Sequence, residues 1–421
     1  MFKKYVMKNG VRIILSPIKD SQAVTILIII AVGSRYETKD INGISHLLEH
    51  EFFKGTKKRS DKALIIKELD AVGGMYNAFT GKEVMGFWVK VEKSHLRLAV
   101  DILSDMLFNS SFKASGIVKE KKVITEEINM REDDPQTLIG DLWEEILYKG
   151  ESIGWPIAGT YKSLKSISRK NIIDYFKQHF TAGNIVISLA GGIEEKKDLK
   201  TIEDSFRNFK SDRTEANHSE SKSQTTPIVF IRNKKTAQSH LVLGVRAFPL
   251  SHPDRYPLAV ISAILGSGLS CRLFTEVREK RGLAYYIYTS LGDYTDRGYL
   301  AASAGVDNKR VGEAVKTILK EFKKLKTEKV TPKELSKAKD GIRGKMLLNL
   351  ETSDQWASFT AEQEILENRI MTIRELCDRI GEVSQHDILR VAKTIFAPER
   401  LNLAAIGPDL SKKELEKILI I

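Results

Sequence analysis

His46-Leu47-Leu48-Glu49-His50 is the segment of this 421-residue chain whose residue types and spacing could most directly do chemistry. On a helix the two histidines, four apart, leave one face and can grip a single ion. Glu49, three residues from His46, lies on nearly the same face. It cannot easily join both histidines as a third ligand, but it can reach a metal-bound water, which is the position of a general base in metal-assisted hydrolysis. Asp40, Asn42 and Ser45 offer capping side chains just upstream, and the HLLEHEFF run suits a buried helix. The plain alternative is a pair of core or surface histidines on an ordinary helix.

A hydrolytic zinc site needs a third protein ligand and an open fourth position. The candidate segment is GIVKEKKVITEEINMRE, where Glu120 and Glu127 are seven apart and share a helix face. Two glutamates so stacked allow one to bind the metal and the other to orient the site. Glu126 is rotated about 100° away, and its use as ligand would require the helix to turn by one residue. Taken alone, this is an ordinary charged surface helix.

The elements that must position these residues follow from hydrophobic period. Strand-like runs open both halves: Arg12–Pro17 and 24–32 in the first, 228–231 and 240–245 in the second. Further strand signals fall at Met75–Thr80 and 84–91, and at 285–291 and 299–304. Helical patterns follow at about 95–109, 113–131 and 137–148, then at 310–325, 332–350 and 354–367. Each half closes on a strand, 184–190 and 401–406. The matched order predicts a duplication: two α+β domains, each an antiparallel-rich sheet covered by helices on one face. The expected boundaries are 1–209 and 228–421, joined by a hydrophilic linker or loop at 210–227 that contains almost nothing apolar.

Composition sets outer bounds. Hydrophobic residues make up 42% and charged residues 29%, as in a folded globular protein. The longest apolar run, AVTILIIIAV, is about half of the ~20 residues a membrane span needs, and its β-branched content favours a buried strand. The N-terminal sequence leads straight into strand-like residues without the pattern of a secretory or transit segment. Two cysteines, Cys271 and Cys377, fit a reducing compartment, so a cytoplasmic protein with no membrane association is expected. The net charge of +12 comes from scattered lysines and arginines interleaved with acids, without a nucleic-acid motif, so no nucleic-acid partner is expected.

The pattern His46-x-x-Glu49-His50, then 69 residues, Glu120, six more, and Glu127 resembles the inverted zinc motif of the pitrilysin (insulinase) family, whose members include the mitochondrial processing peptidases. GSRYETKDINGISHLLEHEFFKGT, GGMYNAFTGKE, EKKVITEEINMREDDP, GWPIAGT, NIVISLAGG and GLSCRLFTEVREKRGLAYYIYT also resemble family blocks, so the likeness covers essentially the whole chain. The resemblance implies a zinc metalloendopeptidase with zinc on His46, His50 and Glu127, Glu49 as general base and Glu120 as supporting carboxylate. It implies an edge strand, Gly73 to Thr80, that binds the substrate backbone, with Asn77 and Ala78 near the scissile bond. Arg278 and Tyr285 resemble the pair by which the C-terminal half holds the peptide carbonyl and stabilises the oxyanion. A chain of this length resembles half of a four-domain member, a half-clamshell. A homodimer enclosing a chamber is therefore expected, with a related chain as the other possible partner and peptides or unfolded segments as substrates. Glu51 departs from the family, which usually has an apolar residue after the second histidine, and Phe87 and Trp88 fill positions often held by tyrosine. The competing expectation is a non-catalytic structural or recognition subunit, although such members typically lose the zinc motif.

Overall fold

Ile26, Leu27, Ile28, Ile29 and Ile30 are apolar on both faces of a strand, so the sheet they enter must be covered on both sides. A computed structural model, which describes residues 2–212 and 224–421, shows how. Most of the expected linker at 210–227 lies outside the described residues.

The first sheet contains β1 (Lys3–Val6), β2 (Arg12–Pro17), β3 (Ala23–Ile30), β4 (Met75–Thr80), β5 (Met85–Glu92) and β6 (Ile185–Gly191). Its order is β1-β2-β6-β3-β5-β4, with β2 and β6 parallel and every other neighbour antiparallel. The second sheet contains β7 (Ile228–Asn233), β8 (Ser239–Ala247), β9 (Ala284–Asp293), β10 (Gly298–Val306) and β11 (Leu401–Gly407). Its order is β7-β11-β8-β10-β9, again with only the β7–β11 pair parallel. Apart from β1, the two sheets therefore share strand order and strand direction, which is the duplication expected from the matched elements.

One face of the first sheet, through Ile26, Ile28 and Ile30, packs on helices that include Ile44–Phe52 and Leu96–Asn109. The other face, through Leu27, Ile29 and Val186, packs on Ala357 and Ala361 of helix Ser353–Glu367. Polar groups at this seam are matched: Thr25 Oγ1 meets Ser353 Oγ at 2.8 Å, and Ser188 Oγ meets Thr360 Oγ1 at 3.0 Å. The second sheet repeats the arrangement. Leu241, Leu243 and Val245 face helices such as Val311–Thr327, while Val242, Ala404 and Ile406 face Trp143 and its neighbours on helix Pro135–Leu147.

This corrects the expectation of helices on one face only. It also means that the compact units do not coincide with the contiguous stretches 1–209 and 228–421. One unit takes in residues 349–370, and the other takes in 130–154. Each half contributes one helix to the sheet formed mainly by the other half. Periodicity reveals that such a helix has an apolar face, but not which sheet covers it. Among the described residues, no helix is long and apolar enough to cross a membrane.

Ala361, with no solvent exposure, sits where helix Ser353–Glu367 lies against β3 and β6. Replacing it with Phe should overpack this seam and lower stability by about 1–3 kcal/mol in chemical denaturation. An unchanged midpoint would contradict this placement of the helix.

Candidate metal centre

The helix Ile44–Phe52 is short, so its orientation rests on its buried side and its N-terminus. Ile44, Leu47, Leu48 and Phe52 have no solvent exposure and enter the first core, which leaves His46, Glu49 and His50 on the opposite face. Gly43 caps the helix at φ +94°, and a Cβ there would lie 2.6 Å from the Ala158 carbonyl oxygen. The free N–H groups of Gly43 and Ser45 donate to the buried Glu37 carboxylate at 2.7 and 2.8 Å, and Asn42 Nδ2 donates at 2.8 Å. Burial pushes the Glu37 carboxyl up to about 7, against the pull of these donors. The cap thus comes from Glu37. Of the three residues expected to cap, Asn42 donates to that carboxylate, and Ser45 places its hydroxyl 2.9 Å from Tyr175 Oη.

Helix Ala114–Asp133 brings Glu127 to the two histidines. His46 Nε2 and His50 Nε2 each lie 3.8 Å from a different Glu127 oxygen, and one ligand atom from each of the three residues can be chosen with all separations within 4.8 Å. The imidazole centroids are 4.7 Å apart, with planes inclined at 71°. A separation of 3.8 Å is too long for a hydrogen bond. It is close to the roughly 3.3 Å ligand–ligand edge of a tetrahedral ion with ~2.0–2.1 Å bonds. Two imidazoles and one carboxylate form a donor set that suits zinc with one position left open, so the residues present fit such an ion.

Surrounding groups distinguish the other carboxylates. Glu120 Oε2 meets His50 Nδ1 at 3.1 Å, and Glu120 Oε1 accepts from Lys54 Nζ at 2.6 Å. Burial raises the Glu120 pKa, but Lys54 and His50 outweigh it and hold the carboxyl below its ordinary value. The contact fixes the His50 ring and leaves Nε2 facing Glu127. Glu49 accepts a hydrogen bond from Thr80 Oγ1 at 2.5 Å; burial lifts its pKa above the ordinary value despite that bond and the nearby His50. Glu126 instead accepts from Asn129 Nδ2 at 3.1 Å on the exposed side of its helix.

Thr80 ends β4, the outer strand of the sheet, which among the described residues pairs only with β5. Asn77 on this strand is exposed and its Oδ1 accepts from the Ala78 N–H at 2.9 Å, while Ala78 is half-buried against the core. Arg278 and Tyr285 lie in the second unit. The Arg278 guanidinium stands 5.5 Å from the Tyr285 ring centroid and 4.8 Å from that of Phe274. Tyr285 is 71% exposed near the start of β9, the edge strand of the second sheet. The structure thus groups His46, Glu49, His50, Glu120 and Glu127 together, and pairs Arg278 with Tyr285.

The sequence placed Thr80 on the edge strand without linking it to Glu49, and neither Lys54 nor Glu37 was singled out. Lys54 lies just past the end of the helix Ile44–Phe52 and pairs with Glu120, so helical spacing did not indicate it. Thr80 and Glu37 reach the site through tertiary contacts that spacing does not encode.

Comparison with known proteins bears on what the centre does. Two family models match: Insulinase (Peptidase family M16) over residues 12–161, and Peptidase M16 inactive domain over residues 166–342. The chain is similar to the uncharacterized zinc protease YmxG of Bacillus subtilis, 35% identical across 97% of this chain and 99% of that protein. It is also similar to an uncharacterized zinc protease of Rickettsia felis, 32% identical across 96% and 97% of the two chains. Among solved structures, a Helicobacter pylori protease superposes with TM-score 0.92 at 22% identity, covering 97% of this chain and 100% of that one. A chain of Complex III2 from Candida albicans superposes at TM-score 0.85 and 18% identity, covering 100% of each chain.

Glu51 is the outlier of the metal-bearing helix. It is 1% exposed, and among the described residues neither carboxylate oxygen has a hydrogen-bond partner. Burial, with the nearby Glu120 charge, pushes its carboxyl up to about 7 against Lys54. The folded chain therefore holds this proton up to about pH 7, whereas the unfolded chain releases it near 4.5, so the Glu51 contribution to stability declines as pH rises through that window. Glu51→Leu should raise stability by about 1–3 kcal/mol at pH 8 and remove that part of the pH slope. Thermal melts at pH 5 and pH 8 check both; a variant less stable than the parent at pH 8 would contradict this account.

Proposed function

The chain belongs to the insulinase (peptidase M16) family, and from that premise we propose that it is a zinc metalloendopeptidase cleaving peptides or unfolded segments. The observation that carries the reading is the convergence of His46, His50 and Glu127, with Glu49 on the same helix face as the histidines. His46, His50 and Glu127 would hold the ion. Bound there, zinc supplies Lewis-acid polarisation and makes water a stronger acid near neutral pH.

The remaining work falls to the chain. Glu49, set in place by Thr80, takes a proton from the attacking water and later returns it to the departing amine nitrogen. Its burial favours the first half of that transfer, because a carboxylate with a raised pKa takes up a proton more readily. Glu120 orients the His50 ring through Nδ1. The free edge of β4 offers backbone groups to an extended substrate, so that Asn77 and Ala78 lie along the bound peptide. Arg278 and Tyr285 are the proposed donors to the peptide carbonyl and to its developing negative charge.

A cytoplasmic homodimer is the proposed form, with a related chain as the alternative partner. The second functional reading is a non-catalytic subunit, in line with the inactive-domain match over 166–342. Against it stands the intact set of histidines and glutamates in the first half.

Glu49→Gln removes the base while leaving both histidines and Glu127. It should retain zinc and a normal thermal melt, yet lower turnover of a quenched fluorescent peptide by at least ~10²–10⁴-fold. Substantial activity in that variant would sink the assignment.

A further inference from the structure

The second unit contains a cavity of about 680 Å³ bounded by the 266–272 loop and by helices Val311–Thr327 and Pro332–Leu348. Its size falls within the range of small-ligand and peptide pockets. One wall is a ridge of the second helix, carrying Lys333, Lys337, Gly341 and Lys345 at four-residue spacing. A Cβ at Gly341 would meet nothing within 4 Å, so the ridge is open at its middle.

The carboxylates along the same cavity are mostly committed. Arg272 holds Glu334 through two bonds of 2.6 and 2.7 Å, and Lys324 holds Glu321 at 2.6 Å. Glu276 is held by Lys280 at 2.6 Å and Arg281 at 2.8 Å. Glu328 is the remaining acid of the lining. The ridge lysines are not neutralised in this way. Lys337 Nζ donates to the Ser270 carbonyl at 2.8 Å, and Lys345 Nζ donates to Ser267 Oγ at 2.7 Å. Lys333 makes no ion pair among the described residues. Three like charges therefore share one wall without a carboxylate partner among the described residues, an arrangement that an anion relieves.

The spacing narrows the class of anion. Successive ridge positions rise about 6 Å along the helix, four residues at ~1.5 Å each. An extended peptide presents alternate side chains on one face about 6.6–6.8 Å apart. Lys333 and Lys337 thus match two carboxylates at alternating positions, and Lys345 matches a third further along.

We propose that this cavity binds an acidic, extended peptide segment, its alternating carboxylates paired with Lys333, Lys337 and Lys345. The proposal rests on the peptidase reading only in naming a substrate class.

The test is fluorescence anisotropy with a labelled peptide carrying Glu at alternating positions, compared with its Gln counterpart. The full chain carries Glu49→Gln so that cleavage does not intervene. The Glu peptide should bind at least ten-fold more tightly, with affinity falling as salt rises. The Lys337→Glu/Lys345→Glu double variant should abolish the preference while retaining the parent thermal melt. Lys333→Ala, a milder change, should weaken binding about three-fold and serves if the double variant does not fold. Equal binding of both peptides, or a preference that survives the substitutions, overturns the proposal. Binding of tripolyphosphate without binding of the Glu peptide overturns it too, because the cavity would then be a phosphate site. A parent chain that binds the acidic peptide but cleaves no peptide at all supports this proposal and refutes the catalytic reading, so the two fail separately.

Discussion

The burial of Ile44, Leu47, Leu48 and Phe52 is the constraint on which the centre depends. A helix this short has no stable direction of its own in water. Its apolar side is worth roughly 1.5–3 kcal/mol for each large residue fully buried, and that side can enter the core in only one rotation. Phe52 reinforces the choice by packing edge-on to Phe87 and Phe112, with centroids 5.0 and 5.6 Å away. Once this face is fixed, His46, Glu49 and His50 must point together toward Glu127. The Glu37 carboxylate holds the helix start, so neither rotation nor sliding is free.

Four glutamates near one another then behave differently because their neighbours differ. Glu120 stays charged beside Lys54 and His50. Glu49 is half-withdrawn from water and tied to a hydroxyl. Glu127 keeps 41% of its side chain exposed, compatible with a ligand next to an open coordination position. Glu51 points into the protein with no hydrogen-bond partner among the described residues, a cost that serves no visible purpose in the site. Environments that push like groups apart in this way are how carboxylates of one type come to hold separate roles.

Much of this was legible in the residues, for identifiable reasons. The His46, Glu49 and His50 face follows from helical spacing alone, and strands such as Arg12–Pro17 and Met75–Thr80 fall where apolar alternation places them. The choice between Glu126 and Glu127 needed the facing helix, because a single residue of rotation separates them. The first strand, Lys3–Val6, is short and largely exposed, so it carries no hydrophobic signal. The exchange of helices Pro135–Leu147 and Ser353–Glu367 was also invisible, since an amphipathic pattern gives a helix a buried face without naming the surface that buries it. Small residues such as Ala357 and Ala361 are a partial clue, because they allow a helix to lie close against a sheet.

Glu127, and not Glu126, is the carboxylate that faces both histidines and so is placed to complete the metal centre. Zinc content by mass spectrometry of the purified parent, Glu127→Ala and Glu126→Ala chains tests it most directly. About one zinc per chain is expected in the parent and in Glu126→Ala, with zinc lost from Glu127→Ala under the same dialysis. Full zinc in Glu127→Ala, or its loss from Glu126→Ala alone, would contradict it.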